Sequence, residues 1–204
     1  MKNKNVIAFK IVVCIGVVSL AFLFLSDCKI DIKQLPQPRD FSAINLAKSK
    51  ETSYIGKFDV ISAESYNLSG AWKYTFKTIL KQNRVFYEVL DLNEAISFKN
   101  GSYVLDVEVT PKYSDDYNYW WTWPSIYPFV GLWPAQVRTG EYEVRIDYTL
   151  LKADQVVKTG SILEKDSLTL YVYGMYRTTD FEEMIETANL KAISRCVKEI
   201  SSNL

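Results

Sequence analysis

Residues 141–163 read EYEVRIDYTLLKADQVVKTGSIL and carry the clearest fold signal in the chain. Apolar and polar side chains alternate from 141 to 150, which is typical of a strand with one buried face and one wet face. Residues 152–155 predict a bend, after which 156–163 returns as an antiparallel partner. This stretch therefore predicts a β-hairpin that packs one face against a core.

Other strands surround this hairpin in the sequence. The same alternation runs through 103–110, where Tyr103, Leu105, Val107 and Val109 point one way and the polar residues point the other. Shorter apolar runs predict strands at 57–63 and 85–90, and the apolar run 168–173 extends the sheet. A turn at 99–101, which includes Gly101, leads into the strand at 103–110.

Two segments show helical spacing instead. Around 68–80 the apolar residues fall near one face, with Asn67 or Ser69 as the cap. They are Leu68, Trp72, Ile79 and Leu80, with Phe76 between them. From 181 to 200 apolar residues repeat at helical spacing, with Thr179 or Asp180 and an acid three residues later forming a capping box. We expect Cys196 to lie in the core on this face. The order of elements predicts an α+β fold, with an antiparallel or mixed sheet and helices packed on one of its faces.

The amino terminus has the composition of a secretory signal. Lys2, Lys4 and Lys10 precede an uninterrupted apolar run over residues 11–25, which ends before Ser26, Asp27 and Cys28. The run is shorter than the roughly 20 residues that a helix needs to cross the hydrocarbon layer. We therefore expect cleavage, while an uncleaved anchor helix and a released periplasmic protein are the alternatives.

The four residues Leu25, Ser26, Asp27 and Cys28 resemble the lipobox of bacterial lipoproteins, although Asp27 stands where that pattern has Gly, Ala or Ser. The resemblance implies that Cys28 becomes lipidated. It also implies delivery to the outer membrane, facing the periplasm, because Lys29 follows the cysteine in place of the Asp that retains such proteins in the inner membrane.

These signals divide the chain into three parts: a signal peptide at 1–27, a lipid-anchor site and polar tether at 28–56, and a single α+β domain at 57–204. The tether contains prolines and serines and has no clear periodicity, and the alternative is that part of it packs as an irregular first element. In layout alone, residues 57–200 resemble the periplasmic domains of envelope proteins such as LptE, PelC and the amino-terminal domain of TolB.

An aromatic insert at 113–134 interrupts the domain and holds four of the five Trp residues. Because prolines stand at 111, 124, 128 and 134, we expect a folded loop rather than a regular element. Its rings either close the end of the sheet as a satellite core, dock against a protein partner or the headgroup layer, or stack on sugars. For docking, the candidate residues are Trp120, Trp121, Trp123, Tyr127, Phe129 and Trp133.

The amino-acid composition argues against several classes of function. The chain has no His and a formal net charge of zero, which argues against most hydrolytic mechanisms and against nucleic-acid binding. We expect neither a cofactor nor a metal. The sequence favours a non-enzymatic envelope lipoprotein, a structural or assembly and transport accessory that binds a protein partner or the membrane. The alternatives are a glycan- or lipid-binding carrier, and a glycan-acting enzyme that uses acids such as Asp115 and Asp116.

Overall fold

The computed structural model describes residues 32–36, 50–62, 69–94, 101–117, 135–173, 178–202 and 204. The chain divides into two compact units, Met1–Ile32 and Lys33–Leu204. All the elements below belong to the second unit.

The described residues of this unit contain five strands, two α-helices and one short 3-10 helix. In chain order they are β1 (Thr52–Val60), α1 (Ser69–Gln82), β2 (Glu88–Asp91), the 3-10 helix (Leu92–Glu94), β3 (Tyr103–Tyr117), β4 (Ala135–Lys152), β5 (Gln155–Tyr173) and α2 (Thr179–Ser201).

The strands form one mixed sheet in the order β2-β1-β3-β4-β5. β1 runs parallel to both β2 and β3, whereas β3, β4 and β5 are successively antiparallel. Parallel neighbours need a long crossover connection. Here the connection from β1 to β2 contains α1, and the chain from β1 to β3 contains α1 and β2. The predicted α+β class and mixed sheet are confirmed.

The core lies between one sheet face and the two helices. Along β4, the side chains of the even-numbered residues 142–150 are buried and the intervening ones are exposed or half-buried. The alternation predicted for 103–110 and 141–150 is therefore confirmed. The largest fully buried side chains include Trp72 and Phe76 of α1, Leu105 and Tyr142 of the sheet, and Phe181 and Ile193 of α2.

The predicted bend at 152–155 is a tight hairpin between β4 and β5, since Lys152 pairs with Gln155. Its two central residues, Ala153 and Asp154, have φ values of 50° and 62°. Two successive left-handed residues match the right-handed twist of antiparallel strands.

The strands differ from the sequence prediction in their limits. β1 begins at Thr52, inside the predicted tether, and β2 occupies Glu88–Asp91, so it begins three residues later and ends one residue later than the predicted strand at 85–90. The run 168–173 is the second half of β5, which is continuous from Gln155. β3 continues to Tyr117, so the expectation of a loop from 113 onward is wrong for 113–117.

Pro111 allows this continuation because its missing N–H is not needed by β4. The Val109 carbonyl oxygen accepts a hydrogen bond from Ile61 N–H (2.8 Å), so the odd-numbered residues of β3 direct their backbone groups towards β1. The paired register of β1 ends at Val60, opposite Val109. Pro111 therefore lies on an edge, where a strand tolerates proline.

The predicted capping box of α2 is also wrong. The N-cap is Thr178, and no side-chain cap hydrogen bond is made there. Instead the Glu182 N–H donates to the Thr178 carbonyl oxygen (2.9 Å), an ordinary first-turn bond. Asp180 and Glu182 lie in the first turn, where their charge favours the helix dipole without capping.

Candidate functional site

Cys28 and the six aromatic candidates, Trp120, Trp121, Trp123, Tyr127, Phe129 and Trp133, lie outside the described residues. The structure does describe the places where their segments join the fold. The insert connects β3 to β4, and Tyr117 and Ala135 are the last and first residues of those strands. The described residues around these attachment points therefore define the candidate surface.

The base of the insert is fixed to the first turn of α2. The rings of Tyr113 and Phe181 meet edge to face with centroids 6.5 Å apart, and Phe181 is fully buried. Gly140 makes this approach possible, because a Cβ there would lie 2.5 Å from the Phe181 ring. A glycine in a strand interior often marks such a close contact.

An ion pair crosses the same end of the hairpin. Arg138 lies opposite Tyr117 in the register, and its guanidinium Nη2 is 3.3 Å from the Asp115 carboxylate. The Arg138 side chain is 8% exposed and that of Asp115 is 40% exposed. Asp115, one of the acids considered for catalysis, is thus the partner of a buried cation. Removing the Asp115 carboxylate would take a charge partner from that cation.

Residues 33–36, which we call the strap, lie against both helices. The side-chain amide of Asn189 in α2 donates to the Gln34 carbonyl oxygen (3.3 Å), and the Thr75 hydroxyl of α1 donates to the Pro36 carbonyl oxygen (3.4 Å). The Tyr142 hydroxyl donates to the other end of the Asn189 amide (2.7 Å). This part of the predicted tether therefore packs against the domain as an irregular element. Its polar, aperiodic sequence carries no signal that would have revealed the contact.

A cleft of about 570 Å³ opens beside the strap. Its acidic lining comes from the first two turns of α2, and among the described lining residues Lys33 is the one cation. These lining residues are Lys33, Leu35, Pro36, Ala71, Thr179, Glu182, Glu183 and Glu186. This described lining has a net negative charge, which disfavours an anionic ligand.

The strap and the base of the insert lie at the same end of the unit. Phe181, which contacts the insert base, is next in sequence to Glu182, which lines the strap cleft. The contact at the insert base and the cleft beside the strap thus both include residues of the first turn of α2. The sequence alone did not show this proximity, because it depends on how α2 crosses the sheet.

The wet face of the sheet carries acids that are held by neighbouring bases. Lys57 Nζ lies 2.9 Å from Asp59 and its backbone N–H donates to Asp106 (2.8 Å), while Arg145 lies 3.1 Å from Asp147. In the described part of the chain, no group of three or more His, Cys, Asp or Glu residues is placed to hold a metal ion.

Cys196 has the environment that the sequence predicted. It is a free cysteine, fully buried, and burial raises the pKa of its thiol. A thiol held in its neutral form is a poor nucleophile. Its placement in the core is confirmed.

Among the helices in the described ranges, none is both long enough and apolar enough to span a membrane.

One protein-family model matches residues 19–201, and that family has no assigned function. No curated protein sequence matches the chain. Among solved structures, a Xanthomonas campestris protein from a family of unknown function is 13% identical, with a TM-score of 0.44, and the match covers 85% of this chain and 93% of that one.

Two further solved structures are similar. PelC from Paraburkholderia phytofirmans, solved as a dodecamer, is 13% identical with a TM-score of 0.36, over 76% of this chain and 95% of PelC. Rare lipoprotein B from Shewanella oneidensis is 14% identical with a TM-score of 0.35, over 73% of this chain and 94% of that one. At these identities and scores, the neighbours carry no conclusion about what this chain binds.

Proposed function

We propose that this chain, which belongs to the family of unknown function whose model matches residues 19–201, is a lipid-anchored bacterial envelope protein that works by binding. In this role it is a structural or assembly and transport accessory rather than an enzyme. The basic residues, the apolar run 11–25 and Cys28 support export and lipidation. Lys29 after the cysteine supports delivery to the outer membrane, with the domain in the periplasm.

The observation that carries the proposal is the shared end of the strap and the insert base. Cys28 precedes Lys33 by five residues, which span at most about 18 Å when fully extended. The segment 118–134 can reach about 30 Å from its base when the chain goes out and returns. An anchor at Cys28 therefore keeps the aromatic insert within reach of the same membrane.

This arrangement favours the headgroup layer as the surface that the insert binds. Trp and Tyr combine an apolar ring with a polar tip and suit the membrane interface. Since Glu182, Glu183 and Glu186 line the neighbouring cleft, charge does not draw this end to anionic lipid. The rings of Trp120, Trp121, Trp123, Tyr127, Phe129 and Trp133 would supply the contact. A protein partner at the membrane surface is the other reading of the same geometry.

The anchor is tested by growing cells that express the full chain with an acyl-chain analogue. The proposal expects the analogue on the wild type and no label on Cys28→Ala, while Cys196→Ala keeps it because that thiol is in the core. Density-gradient separation of inner and outer membranes then tests the location. Label on Cys28→Ala, or an unlabelled wild type, would show that the protein is not anchored through this cysteine.

A further inference from the structure

The two edges of the sheet are built differently. On one side the edge strand β2 has only four residues and is followed at once by a 3-10 helix. On the other side the edge strand β5 has 19 residues. Short edge strands are a common protection against pairing with another chain, and long ones leave a row of backbone groups available.

The register shows which groups of β5 point outwards. Even-numbered residues of β4 direct their backbone groups to β5, because the odd-numbered ones face β3. Ile146 pairs with Ile162, so the even-numbered residues of β5 bond to β4 and the odd-numbered ones face away. From Thr159 to Thr169, neither a proline nor a bulge interrupts this outward row.

The same strand exposes apolar side chains. Val156, Val157 and Leu163 are 60%, 46% and 44% exposed, and they are three of the eight large apolar side chains that are exposed in the described residues. Leu163 lies in the middle of the uninterrupted row, on the wet face of the sheet. A long edge with exposed apolar residues is the pattern expected where a further strand is added.

We propose that β5 pairs with β5 of a second copy of this chain, antiparallel, about a two-fold axis through Ile162. Charge favours this register over those centred on Glu164 and Lys165. It places Lys158, which lies 3.2 Å from Glu199 in its own chain, opposite Asp166 of the copy twice, and leaves Lys165 opposite Thr159. Shifting the axis to Glu164 or to Lys165 would set like charges directly opposite each other, which is destabilising.

The pairing gives one continuous sheet of ten strands. Because the axis is perpendicular to the sheet, both pairs of helices lie on the same side of it, and so do both straps. Two anchored copies can therefore enter one membrane. The inference rests on the sheet edge alone and stands whether or not Cys28 is lipidated.

The first test measures the mass of the full chain, extracted in mild detergent, by light scattering after size-exclusion chromatography. The wild type is expected as a dimer. Leu163→Lys adds positive charge beside Arg145 and Lys165 on both sides of the axis, and should raise the dimer dissociation constant at least about tenfold. The control Ile61→Lys also changes an exposed apolar residue, away from β5, and should remain dimeric.

The second test determines the register in which the two β5 strands pair. In Ile162→Cys the two new thiols face each other across the axis, and mild oxidation should yield a covalent dimer. Thr169→Cys places its thiols at opposite ends of the paired strands and should yield none. A monomeric wild type, a dimer that Leu163→Lys leaves unchanged, or equal cross-linking at 162 and 169 would each overturn the proposal.

Discussion

The side-chain amide of Asn189 donates a hydrogen bond to the Gln34 carbonyl oxygen, and so joins the long carboxy-terminal helix to a segment 155 positions earlier. Its amide oxygen accepts from the Tyr142 hydroxyl of β4. Asn189 is fully buried. One side chain therefore holds the strap, the helix and the sheet together.

Replacing Asn189 by Ala should destabilise the fold by about 1–3 kcal/mol, because it leaves the Tyr142 hydroxyl and the Gln34 carbonyl without this partner in a buried site. Urea denaturation of the full chain measures the change. Tyr142→Phe removes only one hydroxyl and should cost less, about 1 kcal/mol. A larger loss for Tyr142→Phe than for Asn189→Ala would show that the strap contact adds nothing.

The sequence predicted the elements whose side chains alternate or repeat. The strand around Val107, the hairpin at Ala153 and the helix carrying Cys196 follow from local periodicity and turn preference. It did not predict the extension of β3 past Pro111, since that depends on where the neighbouring strand ends. The sequence left open whether part of the tether packs, but not where the strap would lie, because its contacts are made by backbone carbonyls that any sequence offers.

Gly140→Ala should be destabilising by about 1–3 kcal/mol, because the new methyl group would lie 2.5 Å from the Phe181 ring in a packed site. Gly70→Ala is the matched control. Apart from its chain neighbours and the backbone of its own helix, no atom of the described residues lies within 4 Å of a Cβ at Gly70, and alanine favours a helix interior over glycine by about 1 kcal/mol. The melting temperature should therefore fall for Gly140→Ala and rise for Gly70→Ala. Equal shifts would contradict the close contact at the insert base.

Because of Asp91, the free energy of unfolding should depend on pH in the acidic range. Burial alone would raise the pKa of this carboxyl. The hydrogen bonds from Lys73 (2.5 Å) and Lys77 (2.7 Å) together lower it by more than burial raises it, so the net effect is a lowered pKa. A carboxyl with a depressed folded-state pKa stabilises fully above its unfolded pKa of about 3.9, and this contribution is lost as pH falls through the folded value.

Urea midpoints of the wild type and Asp91→Asn, compared from about pH 6 to about pH 2, measure this contribution. The wild type should be the more stable of the two at the upper end, and the difference should shrink as the solution becomes acidic. A difference that stays constant over the whole range would mean that the two lysines do not act on the charge of Asp91.

Cys196 should react with a thiol reagent only when the protein opens. The thiol is fully buried against the sheet, and its raised pKa keeps the thiolate scarce. We expect modification of the folded chain at least about 100-fold slower than in denaturant, as an opening free energy of a few kcal/mol implies. A variant that carries both Cys14→Ala and Cys28→Ala isolates this thiol for the assay. Modification at the rate of the denatured chain would contradict the core placement.

The aromatic insert gives the prediction that separates docking from packing. If Trp120, Trp121 and Trp123 formed a satellite core, alanine at all three would lower stability by several kcal/mol in total, as for other buried rings. The described end of the hairpin already has its own packing in Tyr113 and Phe181. Trp121→Ala and Trp123→Ala should therefore melt almost as the wild type does.

The Trp121→Ala and Trp123→Ala substitutions should instead weaken membrane binding. This is measured in a protein that also carries Cys28→Ala, so that no lipid anchor contributes. The exported domain should bind vesicles of zwitterionic lipid through its rings, with little dependence on salt because the neighbouring cleft is acidic. Either Trp variant should bind several-fold more weakly, since each ring contributes apolar area at the interface. Tyr74→Ala and Tyr87→Ala, which remove exposed rings from other surfaces, should bind as the parent does. Unchanged vesicle binding with a large fall in melting temperature would assign the insert to the core, whereas unchanged binding and unchanged melting would assign it to a protein partner.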